Sequence, residues 1–214
     1  MALKPHTAPT VPCVTLAEAK VQVHADPTVT DEDALITAMV AAATDDAEHL
    51  MQRAVMPQKW LLTLDAFVEE TASPKVIAWQ PWSPMVVPSA DCILLRRPIV
   101  TSIDSIQYAA ADTGTMTTLP ATEYQVDLAS ELIARVAPAY GKTWPATRLQ
   151  LGAVQIVFSC GWPNAAAVPS VIKQWIQMRM AAYFENRETW TLGKRVEQNE
   201  FLDRMLDRYR IFTI

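Results

Sequence analysis

The chain has 214 residues, half of them hydrophobic and 19% charged, which suits one folded core or a core with an inserted lobe and is too apolar for a disordered tail. Its formal charge of −5 argues against a basic nucleic-acid patch, since an acidic surface repels a phosphate backbone. Three widely spaced cysteines, Cys13, Cys92 and Cys160, form no C-x-x-C pair, so they read as small buried thiols and not as a disulfide framework or a zinc site.

Residues 1–13, MALKPHTAPTVPC, hold three prolines and read as an extended arm. They contain no apolar run of signal-peptide length, and no later segment approaches membrane-spanning length. A soluble protein that stays where it is made is the expectation. Residues 14–56 read as helical. Thr15 and Glu18 have capping-box spacing, followed by the apolar stripe Leu16, Ala19 and Val23 before Asp26-Pro27. Thr30 and Asp33 suggest a second box opening a long helix. In it Ile36, Met39, Val40, Ala43, Ala47, Leu50, Met51 and Ala54 share one face at about 100° per residue. About 24 residues would make a rod of roughly 36 Å.

From residue 57 to 163 the period shortens to two. In KWLLTLDAF, Trp60, Leu62 and Leu64 alternate against Leu61, Thr63 and Asp65. CILLRRPIVTSIDSIQY predicts a strand, a proline break and another strand. EYQVDLASELIARVAP predicts a hairpin, with Tyr124, Val126 and Leu128 before its turn and Leu132, Ala134 and Val136 after it. AVQIVFSCG predicts the last strand. Residues 68–91 hold four prolines, with Trp79 and Trp82, and read as a projecting loop because proline cannot donate to a central ladder.

Residues 164–210 return to helix. Pro169 suits a first turn, where its missing N–H costs nothing. EQNEFLDRMLDRYR follows with Phe201, Leu202, Met205, Leu206 and Tyr209 on one side, and Glu200 four residues before Arg204. Residues 211–214 form an apolar tail. The fold class expected from this order is α+β: N-terminal and C-terminal helices packed as a bundle, with an inserted antiparallel β region.

On the wheel of the helix beginning near Val171, residues Val171, Ile172, Trp175, Ile176, Met178, Ala182 and Tyr183 cover one apolar arc. Arg179 and Asn186 fall within that arc. Met180 and Phe184 fall outside it, toward Lys173, Gln177 and Glu188. One reading pairs Arg179 inside the monomer and seats Phe184 under a loop. The other makes Arg179, Met180, Phe184, Glu185, Asn186, Arg187 and Glu188 a subunit interface, where arginine and aromatic residues are enriched.

Positive signs of catalysis are missing. His6 lies on the arm, His24 ends the first helix and His49 sits on a polar helix face; no G-x-S-x-G is present. Asp45 and His49 read better as a solvated face than as a metal edge. Glu123 and Asp127 share a strand face without the spacing of a close carboxylate pair. AYGKTWP has one glycine before Lys142 and Thr143 and is far from a phosphate-binding loop. Trp79 and Trp82, with only Lys75 nearby, read as protein-contact or core residues and not as a stack for bases. No feature of these residues asks for catalysis or for a metal, although spacing across the fold leaves acid/base catalysis open.

The ordered segments VTLAEAKVQVHAD, DEDALITAMVAAATDDAEHL, QKWLLTLDAF, RRPIVTSIDSIQY, EYQVDLASELIARVAPAYGKTWP, AVQIVFSCGW and VPSVIKQWIQMRMAAYFENRE resemble, in order, those of tailed-phage head–tail connector proteins. These are also called adaptors or head-completion proteins, here in the long form with a β insertion. YFENRE is the most specific of the segments, and LDRMLDRYRI is similar to the family's leucine-rich end. Residues 68–91 are longer than is usual there, and FTI is an extra ending.

The resemblance implies a virion neck protein of a phage or an integrated prophage, assembled in the host cytoplasm, with no enzyme activity and no cofactor. It would form a ring, usually of twelve copies, beneath the portal protein, and pass DNA without sequence-specific binding. It would meet the stopper, the next neck protein, or the tail, with no membrane involved. A ring needs two different sticky faces per subunit. The tail suggests a portal-binding set of Arg208, Tyr209, Arg210, Ile211, Phe212 and Ile214, with Phe212 as anchor; the bland alternative folds it back on its own helices. Trp79 and Trp82 are the candidate contacts to a neck partner. Two other function classes remain: a small hydrolase using Glu123, Asp127 or Glu185, and a free-standing peptide-binding module gripping through Trp79 and Trp82.

Overall fold

The computed structural model describes residues 2–67, 92–95, 97, 99–130, 133–187 and 204–211. The projecting loop expected over residues 68–91, with Trp79 and Trp82, lies outside them, as do Leu132, Glu188, Phe212, Ile214 and the first half of the last expected helix. The architecture is α+β: packed helices from both ends of the chain, and two antiparallel sheets inserted in sequence between them. Two compact units result, one of Met1–Ala8 with Gln58–Cys160, the other of Pro9–Pro57 with Gly161–Ile214.

In the helical unit, α1 (Leu16–Gln22) starts with the anticipated box: Thr15 Oγ1 accepts from the Glu18 N–H at 3.3 Å, and the Thr15 N–H donates to Glu18 Oε2 at 2.7 Å. The second box does not form. Helix α2 (Asp33–Met51) has Glu32 at its N-cap without a side-chain bond, and the Asp33 carboxylate, expected to pair with Thr30, is engaged by Lys20 Nζ at 2.5 Å. Its 19 residues make a rod of about 28 Å. It stops short of Pro57 because Gln52 turns left-handed, at φ 56°.

Ile36, Val40, Ala43, Ala47 and Met51 of α2 are buried in one core with Ile172, Trp175, Ile176 and Met180 of α3 (Ser170–Glu185). Cys13, Val14, Ala19, Val55, Met56, Val168 and Leu206 complete it. Among the described residues no helix is long and apolar enough to cross a membrane.

The β unit contains β1 (Ala2–Thr7), β2 (Gln58–Leu64), β3 (Ile93–Leu95), β4 (Val100–Ala109), β5 (Met116–Thr118), β6 (Tyr124–Asp127), β7 (Ala134–Pro138) and β8 (Val154–Cys160). The larger sheet runs β1-β2-β8-β4-β5 and the smaller β3-β7-β6. Alternation sets the register: Trp60, Leu62 and Leu64 lie opposite Phe158, Ile156 and Val154, all buried. In the hairpin, Val126 lies opposite Val136.

The N-terminal arm, which the sequence marks only as extended, is paired into a sheet. Residues 2–7 form β1, an edge strand with Leu3 opposite Leu62. An edge tolerates Pro5, and the register shifts between Pro5 and Thr7. Strand β5 was not anticipated either, its MTT being short, exposed and without alternation. The two strands flanking the break near Pro98 go to different sheets.

Candidate assembly surface around the end of α3

Helix α3 positions the polar segment that the sequence singles out. Its core stripe is Ile172, Trp175, Ile176 and Met180, at spacings of three, one and four. Met180 is fully buried, which corrects its expected place outside the apolar arc. The arc drawn through Val171, Met178 and Ala182 was centred too far round. Met180 sits one turn beyond Ile176, only about 40° away on the wheel, and all three of those residues are half-buried.

Arg179 is paired inside the chain. Its Nε donates to Asp46 Oδ2 at 3.1 Å, with the Tyr183 hydroxyl 3.2 Å away, and that hydroxyl donates to the same carboxylate oxygen. Burial works against the Arg179 charge, but its hydrogen bonds to Tyr183 and Asp46 outweigh this and raise its pKa. Burial, then the bond to Asp46, pushes the Tyr183 hydroxyl up.

One turn on, Arg187 lies 2.8 Å from Glu32 Oε1, with its guanidinium 4.2 Å from the Phe184 ring centre. Phe184 is half-buried and packs against the helical core. Asn186 closes the helix through its Nδ2, which donates to Ala182 O at 2.9 Å. Glu185, Asn186 and Arg187 remain exposed. Thus Asp46 of α2 holds Arg179 of α3, Glu32 at the N-cap of α2 holds Arg187 just past the end of α3, and the exposed rim of this helix end consists of Glu185, Asn186 and Arg187.

The segment before the tail returns to the same unit. Leu206 is buried, Met205 and Tyr209 pack against the core, and the Ile211 N–H donates to Met51 O at 3.1 Å. Arg208 and Arg210 are exposed.

The carboxylates considered for hydrolysis are engaged or dispersed. Glu123 pairs with Lys142 at 3.2 Å, and Asp127 pairs with Arg135. The Ala129 N–H and then Arg135 hold the Asp127 carboxyl below its usual range. Among the described residues there is no group of three His, Cys, Asp or Glu side chains that could hold a metal ion. A shallow polar depression is lined by Gln22, Ser170, Lys173, Gln174, Gln177 and Met178. Sequence reasoning passed over three apolar side chains of the β7–β8 loop: Tyr140, Leu149 and Leu151 are 101%, 97% and 90% exposed. Their signal was large apolar residues within a Gly- and Pro-punctuated connection.

No family model matches the chain, and no curated protein does. Solved structures match it over its whole length. A chain in the neck of an empty GTA particle, computed with C6 symmetry, shares 21% identity at a TM-score of 0.71, covering 100% of this chain and 97% of that one. A chain in the virion of a native gene transfer agent particle shares 19% identity at a TM-score of 0.72, with the same coverage. A chain in the neck of a native GTA particle, computed with C12 symmetry, shares 19% identity at 0.68, again over 100% and 97%. At these identities the likeness is one of fold.

Proposed function

We propose that this chain is a structural, non-catalytic adaptor of the neck of a phage or phage-like particle. Copies form a ring of twelve beneath the portal, joining head to tail and passing DNA. The observation that carries this reading is the end-to-end fold likeness to chains of particle necks, covering 100% of this chain. The ordered sequence segments that resemble head–tail connectors support it independently. The net charge of −5 is compatible with it, since an acidic ring does not hold DNA by counterion release.

In this reading the organisation is an arm, N-terminal helices, an inserted β region, C-terminal helices and a tail, with the boundaries given above. Glu185, Asn186, Arg187 and Glu188 face a neighbouring copy, with Phe184 at the margin of that contact. Arg179 and Met180 support it from within. Arg208, Arg210, Phe212 and Ile214 face the portal, Tyr209 and Ile211 fixing where the tail leaves the helical unit. Trp79 and Trp82 face the stopper or tail.

Co-sedimentation with the cognate portal ring tests this, comparing the full chain with one ending at Ile211. The Ile211–Met51 bond is kept in the shorter chain. The full chain is expected to pellet with the portal and the shorter one to stay behind. Equal binding by both would remove the tail from the portal contact. Failure of both on an intact portal would overturn the adaptor reading.

A further inference from the structure

The β7–β8 loop carries an apolar tip that is pinned on both sides. Before the tip, the Arg148 N–H donates to Ala109 O at 3.0 Å, and Thr147 bridges to Ala110. After it, the Gly152 N–H donates to Asp65 Oδ1 at 2.7 Å while Gly152 holds a φ of +68°, and the Ala109 N–H donates to Ala153 O at 2.8 Å. Between these anchors Leu149 and Leu151 stand 97% and 90% exposed. A single exposed leucine is ordinary, but two on a tip fixed against collapse form a preorganised contact.

A surface of matching character lies on α2. Between Asp33 and Asp45 this helix has no charged residue, and Ala34, Ala38, Ala41 and Ala42 are all exposed, with Leu35 39% exposed beside them. A helix side left to solvent is normally polar or charged. This one is largely apolar, Thr37 being its exposed polar residue, and small alanine side chains leave room for leucines. The exposed Asp31 and Asp45 bound it.

Charge supplies the pairing. No Asp or Glu occurs from residue 132 to residue 184, so the tip lies in a stretch whose only charges are basic. Arg148 is exposed and pairs with no carboxylate among the described residues. Arg148 complements Asp45, as the leucines complement the alanines. A head-to-tail ring requires two unlike faces on every copy, and these two are unlike and complementary.

We infer that the Leu149–Leu151 tip of one copy docks on the Ala34–Ala42 side of α2 in the next copy, with Arg148 meeting Asp45 there. The inference rests on the ring reading above and names a contact that reading does not contain.

Intermolecular cross-linking in assembled particles tests it. The full chain carrying Gln150→Cys with Ala38→Cys is treated with a short bis-maleimide, with the unmodified chain and each single variant as background. A head-to-tail contact yields a ladder running past the dimer for the double variant, while a single variant stops at the background level. Leu149→Asp with Leu151→Asp is expected to lower incorporation into necks at least tenfold. Arg148→Asp is expected to lower it several-fold, with recovery on adding Asp45→Arg.

Necks that contain the double-cysteine chain but give no ladder would overturn the contact and leave the neck reading standing. So would leucine variants that form normal rings yet lose the portal, since the tip would then belong to another protein's surface. If the unmodified chain is absent from necks, the adaptor reading fails and this inference falls with it.

Discussion

Asp46 and Arg179 are 133 residues apart in the chain and 3.1 Å apart in space, and Tyr183 donates to the same carboxylate oxygen. Both members of the pair are more than a third exposed, so the bond fixes how α2 and α3 align more than it holds them together. Asp46→Ala is therefore expected to cost only about 1 kcal/mol in urea unfolding. A loss near 4 kcal/mol would mean that the cluster carries the helix packing.

The same cluster predicts an alkaline dependence. The Tyr183 hydroxyl has its pKa raised above the usual 10.0, so the folded state holds this proton more tightly than the unfolded state does. Its contribution is complete below pH 10 and declines as pH rises through the folded value. Tyr183→Phe should flatten the fall in stability measured from pH 8 to pH 11. Some slope will remain, because burial also raises Tyr124.

Glu18 predicts the opposite limb. The Thr15 N–H and then the Thr15 hydroxyl lower its pKa below 4.5, so the native carboxyl binds its proton less tightly than the unfolded one. The capping contribution is present above 4.5 and is lost as pH falls through the lower native value. Glu18→Gln should reduce the acid sensitivity between pH 5 and pH 3. Thr15→Ala should cost about 1 kcal/mol at pH 7.

Lys20 is 5% exposed, and its ammonium lies 2.5 Å from Asp33 Oδ1 and donates to Val29 O at 2.7 Å. It ties the α1–α2 connection to the start of α2. Lys20→Met should lower stability by about 2–3 kcal/mol, because the partners are left without their cation where water has little access. Thermal unfolding checks this, and an unchanged midpoint would rule the clamp out.

Gly161 follows β8 at φ +107°, and an added Cβ would come 2.3 Å from Met56 O. Strain and collision with backbone act together there, so Gly161→Ala should cost at least about 2 kcal/mol or prevent accumulation of folded protein. Gly141→Ala is the control. It has a positive φ of +76° but nothing within 4 Å of the added atom, so it should cost only about 1 kcal/mol.

Local periodicity identified the main elements, though not β1 or β5. The α2 face from Ile36 to Met51, the alternation of Trp60, Leu62 and Leu64, and the Tyr124-to-Val136 hairpin could all be read from neighbours along the chain. The Thr15–Glu18 box was equally legible, since its partners are three residues apart. The α+β order followed from the change of period, and the connector-like segments suggested the neck.

What only the tertiary structure decided depends on partners distant in sequence. Thr30 and Asp33 have box spacing, yet Lys20 takes the carboxylate. Residues 2–7 carry no strand pattern of their own and become a strand because β2 offers them an edge. Met180 joins the core because α2 approaches from a side that the wheel of α3 alone could not identify. The exposure of Leu149 and Leu151 arises from anchors at Ala109 and Asp65, far from the tip in sequence. A sequence states each residue's chemistry and its near neighbours; which distant group satisfies or excludes it is settled only when the chain packs.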